Sequence, residues 1–223
     1  MTADQAYAPT TRTVPTRYRE RARYDHATVH GILDEALICH VGFVGDDGPV
    51  VLPTIHARLG ETLYLHGSTG SHPMIAAAGA AEGLPVCVTV TLVDGLVMAR
   101  SWMHHSLEFR SVVAVGNARL VRDDDEKRRA LAAVVDHVAH GRAADSRPPN
   151  ARELAATAVI ALDLAEVSAK VRTGGPADDK DDLTLPHWAG VLPLTLQPGA
   201  PVPADDFEAA TPPPSYLTDY RRS

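Results

Sequence analysis

Residues 38–72 read ICHVGFVGDDGPVVLPTIHARLGETLYLHGSTGSH, and three strands lie in them. ICHVGFV (38–44) is short, apolar and β-branched, and GDDG follows as a turn. VVLPTIHA (50–57) is a second strand, with Pro53 suggesting an edge or a bulge, because proline cannot donate to a sheet ladder. RLGE turns the chain again and TLYLH (62–66) is the third strand. Strand–turn–strand–turn–strand at this spacing predicts an antiparallel meander. The small polar residues Gly67–His72 then break the pattern.

Downstream, MIAAAGAAEG (74–83) predicts a short helix. PVCVTVTLVDGLVMARSWM (85–103) reads as a hairpin about Asp94-Gly95, a favoured tight-turn pair. FRSVVAVGNARLVRD (109–123) is a long strand with a bulge or kink at Gly116-Asn117. In 123–142, Asp residues fill the first turn of a helix, Leu131, Val134, Val135 and Val138 form its stripe, and Gly141 stops it. TAVIALDLAEVSAKV (157–171) alternates weakly and is read as one strand that completes the sheet. Upstream, 25–37 places Val29, Ile32, Leu33, Ala36 and Leu37 on one helical face with Asp25 as N-cap. The ends are a flexible arm (1–17) and a Pro-rich, extended tail (197–223), leaving one domain at 18–196. Short strands with few helices and no βαβ alternation predict a mainly β fold, a β-barrel with α-helices around it.

The chain has 223 residues, and 21 Lys+Arg against 28 Asp+Glu give a net charge of −7. That balance argues against a nucleic-acid partner, which needs a basic footprint. Cys39 and Cys87 lie inside apolar runs and read as core residues rather than a disulfide. No apolar h-region opens the chain and no run is long enough to span a membrane, so the expected location is the cytoplasm.

No dinucleotide fingerprint, P-loop, CxxC, HExxH or EF-hand occurs, so no metal site is expected. HGSTG (66–70) matches a nucleophile elbow only loosely, and His104-His105, if on a strand, would point to opposite faces. The loop Gly67-Ser68-Thr69-Gly70-Ser71-His72 offers hydroxyls, glycines and a helix N-terminus, a chemistry that suits an anion; the same residues also make an ordinary capped turn. Arg110-Ser111 and the pair Lys170 and Arg172, on one strand face, are further candidates for a phosphate or a flavin carbonyl, or else surface charges. Trp188 either stacks on a planar ligand or pins the C-terminal segment; packing is the favoured reading.

The ordered set YDHATVHGILDEA, VGFV…VVLPTIHARLGETLYLHGSTGSH, VCVTVTLVDGLVMARSWMHHSLEFRSVVAVGNARLV, EVSAKVRTG and LPHWAGVLPL resembles the pyridoxamine 5′-phosphate oxidase-like flavoproteins. It looks most like their nitroimidazole-resistance and flavin-nucleotide-binding branch. The resemblance covers roughly residues 18–196 and implies a six-stranded FMN-binding split β-barrel of Greek-key form. It also implies a homodimer with FMN at the interface. It puts the phosphate on His66, Gly67, Ser68, Thr69 and Ser71, with His72 where many relatives carry Lys or Arg. It puts the flavin edge near Thr54 and cofactor contacts at Arg110, Ser111, Lys170, Arg172 and Trp188. His66 is the catalytic residue it implies, with His105 a weaker candidate. The C-terminal basic substrate motif of the true vitamin B6 oxidases is not found. The resemblance thus implies an FMN-dependent oxidoreductase reducing a small planar acceptor, with NAD(P)H as a donor. The alternatives are a non-catalytic flavin carrier or sensor, or the same fold using F420 or haem.

Overall fold

The computed structural model describes residues 5–207 and 211–221. The first four residues of the expected arm, and residues 208–210 and 222–223 of the expected tail, lie outside the described residues. The chain runs β1 (Ala22–Arg23), α1 (His26–Glu35), β2 (Ile38–Gly45), β3 (Gly48–Leu59), β4 (Thr62–Ser68), α2 (His72–Gly79), β5 (Leu84–Met98) and β6 (Ser106–Leu120). It continues through α3 (Asp124–Val138), α4 (Ala151–Ala156), β7 (Thr157–Asp163), β8 (Glu166–Arg172), β9 (Gly190–Pro193) and α5 (Ser215–Thr218).

The strand order is β1-β8-β6-β7-β4-β3-β2-β5-β9, and β5 also pairs with β6. That extra pairing closes β6, β7, β4, β3, β2 and β5 into a six-stranded ring. β8 and β1 extend from β6, and β9 lies on β5. The expected meander is β2–β3–β4, and β5 returns through α2 to lie beside β2. Three hairpin-linked strands and a fourth beside the first define a Greek key. On β3, pairing with β4 begins only at His56, so the edge at Pro53 is open on that side.

The barrel interior holds Val41, Leu63, Leu65, Val88, Val90, Val112, Ile160 and Leu162, with Val29, Ile32 and Leu33 of α1 packed on it. The Asp25 carboxylate caps α1, accepting from the Thr28 N–H at 2.8 Å. A second cluster, Tyr64, Val121, Ala130, Val159 and Ala161, lies under α3.

Three sequence expectations change. Residues 85–103 form no hairpin at Asp94-Gly95. β5 runs straight through, with a register shift between Val93 and Gly95, and the chain turns at 99–105 instead. The unbroken strand gives Gly95–Val97 a partner on each edge, β6 and β9. The segment 157–171 is two strands, because Leu164 and Ala165 separate β7 from β8. β7 is buried on both faces from Ala158 to Leu162, so it carries no polar–apolar alternation. Gly116 makes no bulge; a Cβ there would stand 2.8 Å from Leu162 Cδ1 on the neighbouring β7. His104 lies in a 3-10 turn and His105 follows it, so neither is on a strand.

The ends are anchored. Tyr7 is buried, and Ala6 bridges to Asp25. Residues 197–207 are exposed and lack regular structure. Tyr220 donates to the Val138 carbonyl at 2.9 Å and Tyr216 to Asp145 at 2.6 Å, which holds the end of the tail on the last residue of α3 and the loop after it.

Candidate active site

The loop after β4 is short because Ser68 folds it. Ser71 Oγ donates to the Ser68 carbonyl at 2.8 Å, and the Gly70 amide donates to Ser68 Oγ at 3.3 Å. The Thr69 amide reaches the Ala156 carbonyl and the Ser71 amide the Ser68 carbonyl. Three consecutive amides are therefore satisfied internally. Ser71 precedes α2 without capping it by its side chain, and Pro73 occupies the first turn. What the loop can give an anion is the Ser68 and Thr69 hydroxyls and the His72 amide, since the Ser71 hydroxyl and the Met74 and Ile75 amides are already donated and Pro73 has no N–H. Gly67 is needed for closeness: a Cβ there would meet Ser71 Oγ at 3.1 Å and Met74 Cε at 3.3 Å.

This loop edges a cavity of about 480 Å³ lined by Val41, Leu52, Thr54, His66, Gly67, Ser71, His72, Met74 and Ile160, among others. Its walls are largely apolar, as suits a flat aromatic ring. Thr54, His66, Gly67 and Ser71 are thus brought together as expected, with Ser68 and Thr69 in the adjoining loop.

His66 also lines a second cavity, of about 630 Å³, between α3 and the segment 143–149. Leu131, Val134 and Val135 give it an apolar wall, and Arg128, Arg129 and Arg147 give it charge. Arg147 is paired with Glu153 at 2.8 Å, and Arg128 donates to the Pro149 carbonyl at 3.2 Å. The Nδ1 of His66 is buried and has no hydrogen-bond partner among the described residues. Burial pushes its pKa down, so the ring is neutral at pH 7. A neutral imidazole that lines two cavities has the chemistry of a metal ligand or of a proton acceptor.

The remaining candidates stand elsewhere in the single chain. Arg110 lines a different cavity, of about 580 Å³. There its guanidinium donates from Nε and Nη2 to Asp94 at 2.9 and 2.7 Å and from Nη2 to Glu35 at 2.8 Å, with Nη1 also on Glu35. Those two carboxylates hold its pKa well above the usual range. Ser111 and Lys170 edge a small cleft of about 190 Å³ with Arg12 and Thr13. Arg172 is buried and donates to the Gly174 and Gly175 carbonyls. Trp188 is exposed, with its ring edge close to Gly190. Cys39 is buried and Cys87 half-buried, both unbridged; burial pushes the Cys39 thiol up to about 12.

The second cavity was not legible in the sequence. Its one signal is the α3 stripe itself, since Val135, on the cavity wall, stays exposed where a packed stripe would be covered.

A family model described as pyridoxamine 5′-phosphate oxidase matches residues 25–171. Among solved structures, the flavocytochrome Anf3 from Azotobacter vinelandii is 40% identical over 97% of this chain and 100% of its own, with a TM-score of 0.88. The FAD- and haem-binding protein from Mycobacterium smegmatis is 38% identical over 89% of this chain and 96% of its own, with a TM-score of 0.83. A protein named for 5-nitroimidazole antibiotic resistance, from Bacteroides thetaiotaomicron VPI-5482, shares the fold at 22% identity, covering 67% of this chain and 86% of its own, with a TM-score of 0.56. No curated protein matches the chain.

Proposed function

This chain belongs to the pyridoxamine 5′-phosphate oxidase family, and on that premise we propose that it is a redox protein holding both a flavin and a haem, with His66 between them. One observation carries the reading: His66, whose imidazole is neutral and whose buried Nδ1 has no partner among the described residues, lines two cavities, each of a size that takes a cofactor. The two relatives near 40% identity support it, since one is named a flavocytochrome and the other an FAD- and haem-binding protein.

The bound groups supply the redox chemistry. The chain's part is to hold them. Thr54 and the 66–71 loop would hold the flavin ring and its first phosphate. Leu131, Val134 and Val135 would cover the macrocycle, Arg128 and Arg129 would face its carboxylates, and the His66 imidazole would bind the iron. FMN and FAD share the ring and that phosphate, and extraction tells them apart. Exposed Val51, Leu52 and Ile75 lie beside the first cavity and suit a homodimer that encloses the flavin.

The test is an absorption spectrum of the purified protein and of His66→Ala. The expected result is flavin bands with a Soret band in the native protein, and retained flavin with a lost Soret band in the variant. A Soret band unchanged in the variant would refute the role of His66. Flavin alone, reduced by NADH or NADPH and reoxidised by a nitroaromatic, would instead favour reduction of a small planar acceptor.

A further inference from the structure

We propose that the protein carries a second site, for a divalent transition ion of the zinc type, built from His26 Nδ1, His30 Nε2 and Glu61 Oε1. None of these residues lines either cavity at His66, and the proposal does not rest on the flavin–haem reading.

His26 and His30 stand one turn apart on α1, so they share a face, and their ring centroids are 5.1 Å apart. Glu61 projects from the β3–β4 turn. The three ligand atoms all lie within 4.8 Å of one another. Glu61 Oε1 is 3.3 Å from His26 Nδ1 and 3.4 Å from His30 Nε2. Tetrahedral zinc with bonds of about 2.0–2.2 Å sets its donors about 3.3 Å apart. Two edges of that tetrahedron are therefore already present.

Tyr7 orients the set. Its hydroxyl donates to the other carboxylate oxygen, Glu61 Oε2, at 2.5 Å, and its ring stacks on His26 at 4.1 Å. This leaves Oε1 for both imidazoles and is the kind of outer contact that fixes a ligand's direction. The Tyr7 hydroxyl also lies 2.8 Å from His30 Nε2, a contact that a bound ion would replace. Arg58 is the cation acting on His30, and it is held by Asp34 and the Gly60 carbonyl. Two imidazoles and one carboxylate suit zinc-type ions rather than calcium or magnesium, which demand oxygen donors. Three protein ligands leave a fourth position for water, and Glu61 is 52% exposed on its side chain.

The experiment uses the full chain without an affinity tag, treated with a chelator and titrated with zinc by calorimetry. Cobalt is substituted for zinc to read coordination geometry. Expected are one zinc per chain at micromolar concentration, a tetrahedral cobalt spectrum, and at least a tenfold loss of affinity in His26→Gln/His30→Gln. Glu61→Gln should lose affinity to a similar degree, and melting of each metal-free variant checks that it is folded. His104→Ala, in a separate His–Asp cluster, should bind zinc as the native chain does. Absence of one-to-one binding, or a loss of less than tenfold in the folded double variant, overturns the proposal.

Discussion

Replacing Arg110 with alanine should lower stability far more than an ordinary surface change. Arg110 on β6 ties Asp94 on β5 to Glu35, the last residue of α1. A carboxylate at a helix C-terminus faces the negative end of the dipole, so Glu35 depends on a cation. The side chains of Arg110, Glu35 and Asp94 are 31%, 26% and 31% exposed. That places the cluster between an exposed pair, worth up to about 1 kcal/mol, and a buried one, whose rupture costs about 3–5 kcal/mol. We expect a loss of about 2–3 kcal/mol, or about 5–10 °C in Tm for a chain of this length. Arg110→Lys should recover less than half, because an ammonium cannot fork onto two carboxylates. The decisive assay is a thermal melt of Arg110→Ala in the native and in the Glu35→Gln/Asp94→Asn backgrounds. With the acids neutralised, the same substitution should cost under about 1 kcal/mol. Equal costs in the two backgrounds, or an Arg110→Ala melt within about 1 °C of native, would refute the cluster. Flavin content should not change, since Arg110 lies in a different cavity from His66; flavin loss at unchanged Tm would return Arg110 to the cofactor.

Two further outcomes follow from the geometry. Gly116→Ala should destabilise the barrel by about 1–3 kcal/mol despite the usual gain of alanine over glycine, because its Cβ would stand 2.8 Å from the buried Leu162 Cδ1; adding Leu162→Ala should remove the interaction between the sites in a double-mutant cycle read by urea unfolding. Glu126 accepts from Arg119 at 2.6 Å and from Tyr64 at 2.9 Å, and these contacts hold its pKa below 4.5. The unfolded chain therefore binds more protons there, so the stabilisation is present above about pH 4.5 and is lost as pH falls through the folded value. Melts between pH 3 and 6 should show Glu126→Gln less acid-sensitive than the native chain.

How much was legible depends on how local the signal is. The β2–β3–β4 meander could be read at 38–66 because each strand is short and bounded by turn residues. The Asp25 cap and the α1 face could be read because a helix writes its burial every three to four residues. Asp94-Gly95 misled because a turn dipeptide describes only its own backbone. Two neighbouring strands held the chain in one strand there: β6, which follows it directly, and β9, about a hundred residues away. β7 was fused to β8 because burial on both faces erased the alternation that marks a strand. The 66–71 loop was visible as an anion cradle, yet which of its amides remain free depends on Ala156, about ninety residues away.

By itself the sequence determined α1, the β2–β3–β4 meander, the mainly β class and the loop at His66, which follow from local spacing and composition, and its ordered motifs carried the resemblance to the family. Only the tertiary structure decided that α3 and the segment 143–149 enclose a second cavity against His66. Only it set Arg110 between two acids and drew Glu61 beside His26 and His30. These are meetings of side chains from distant elements, fixed by ring closure and packing, and no window of adjacent residues contains both partners.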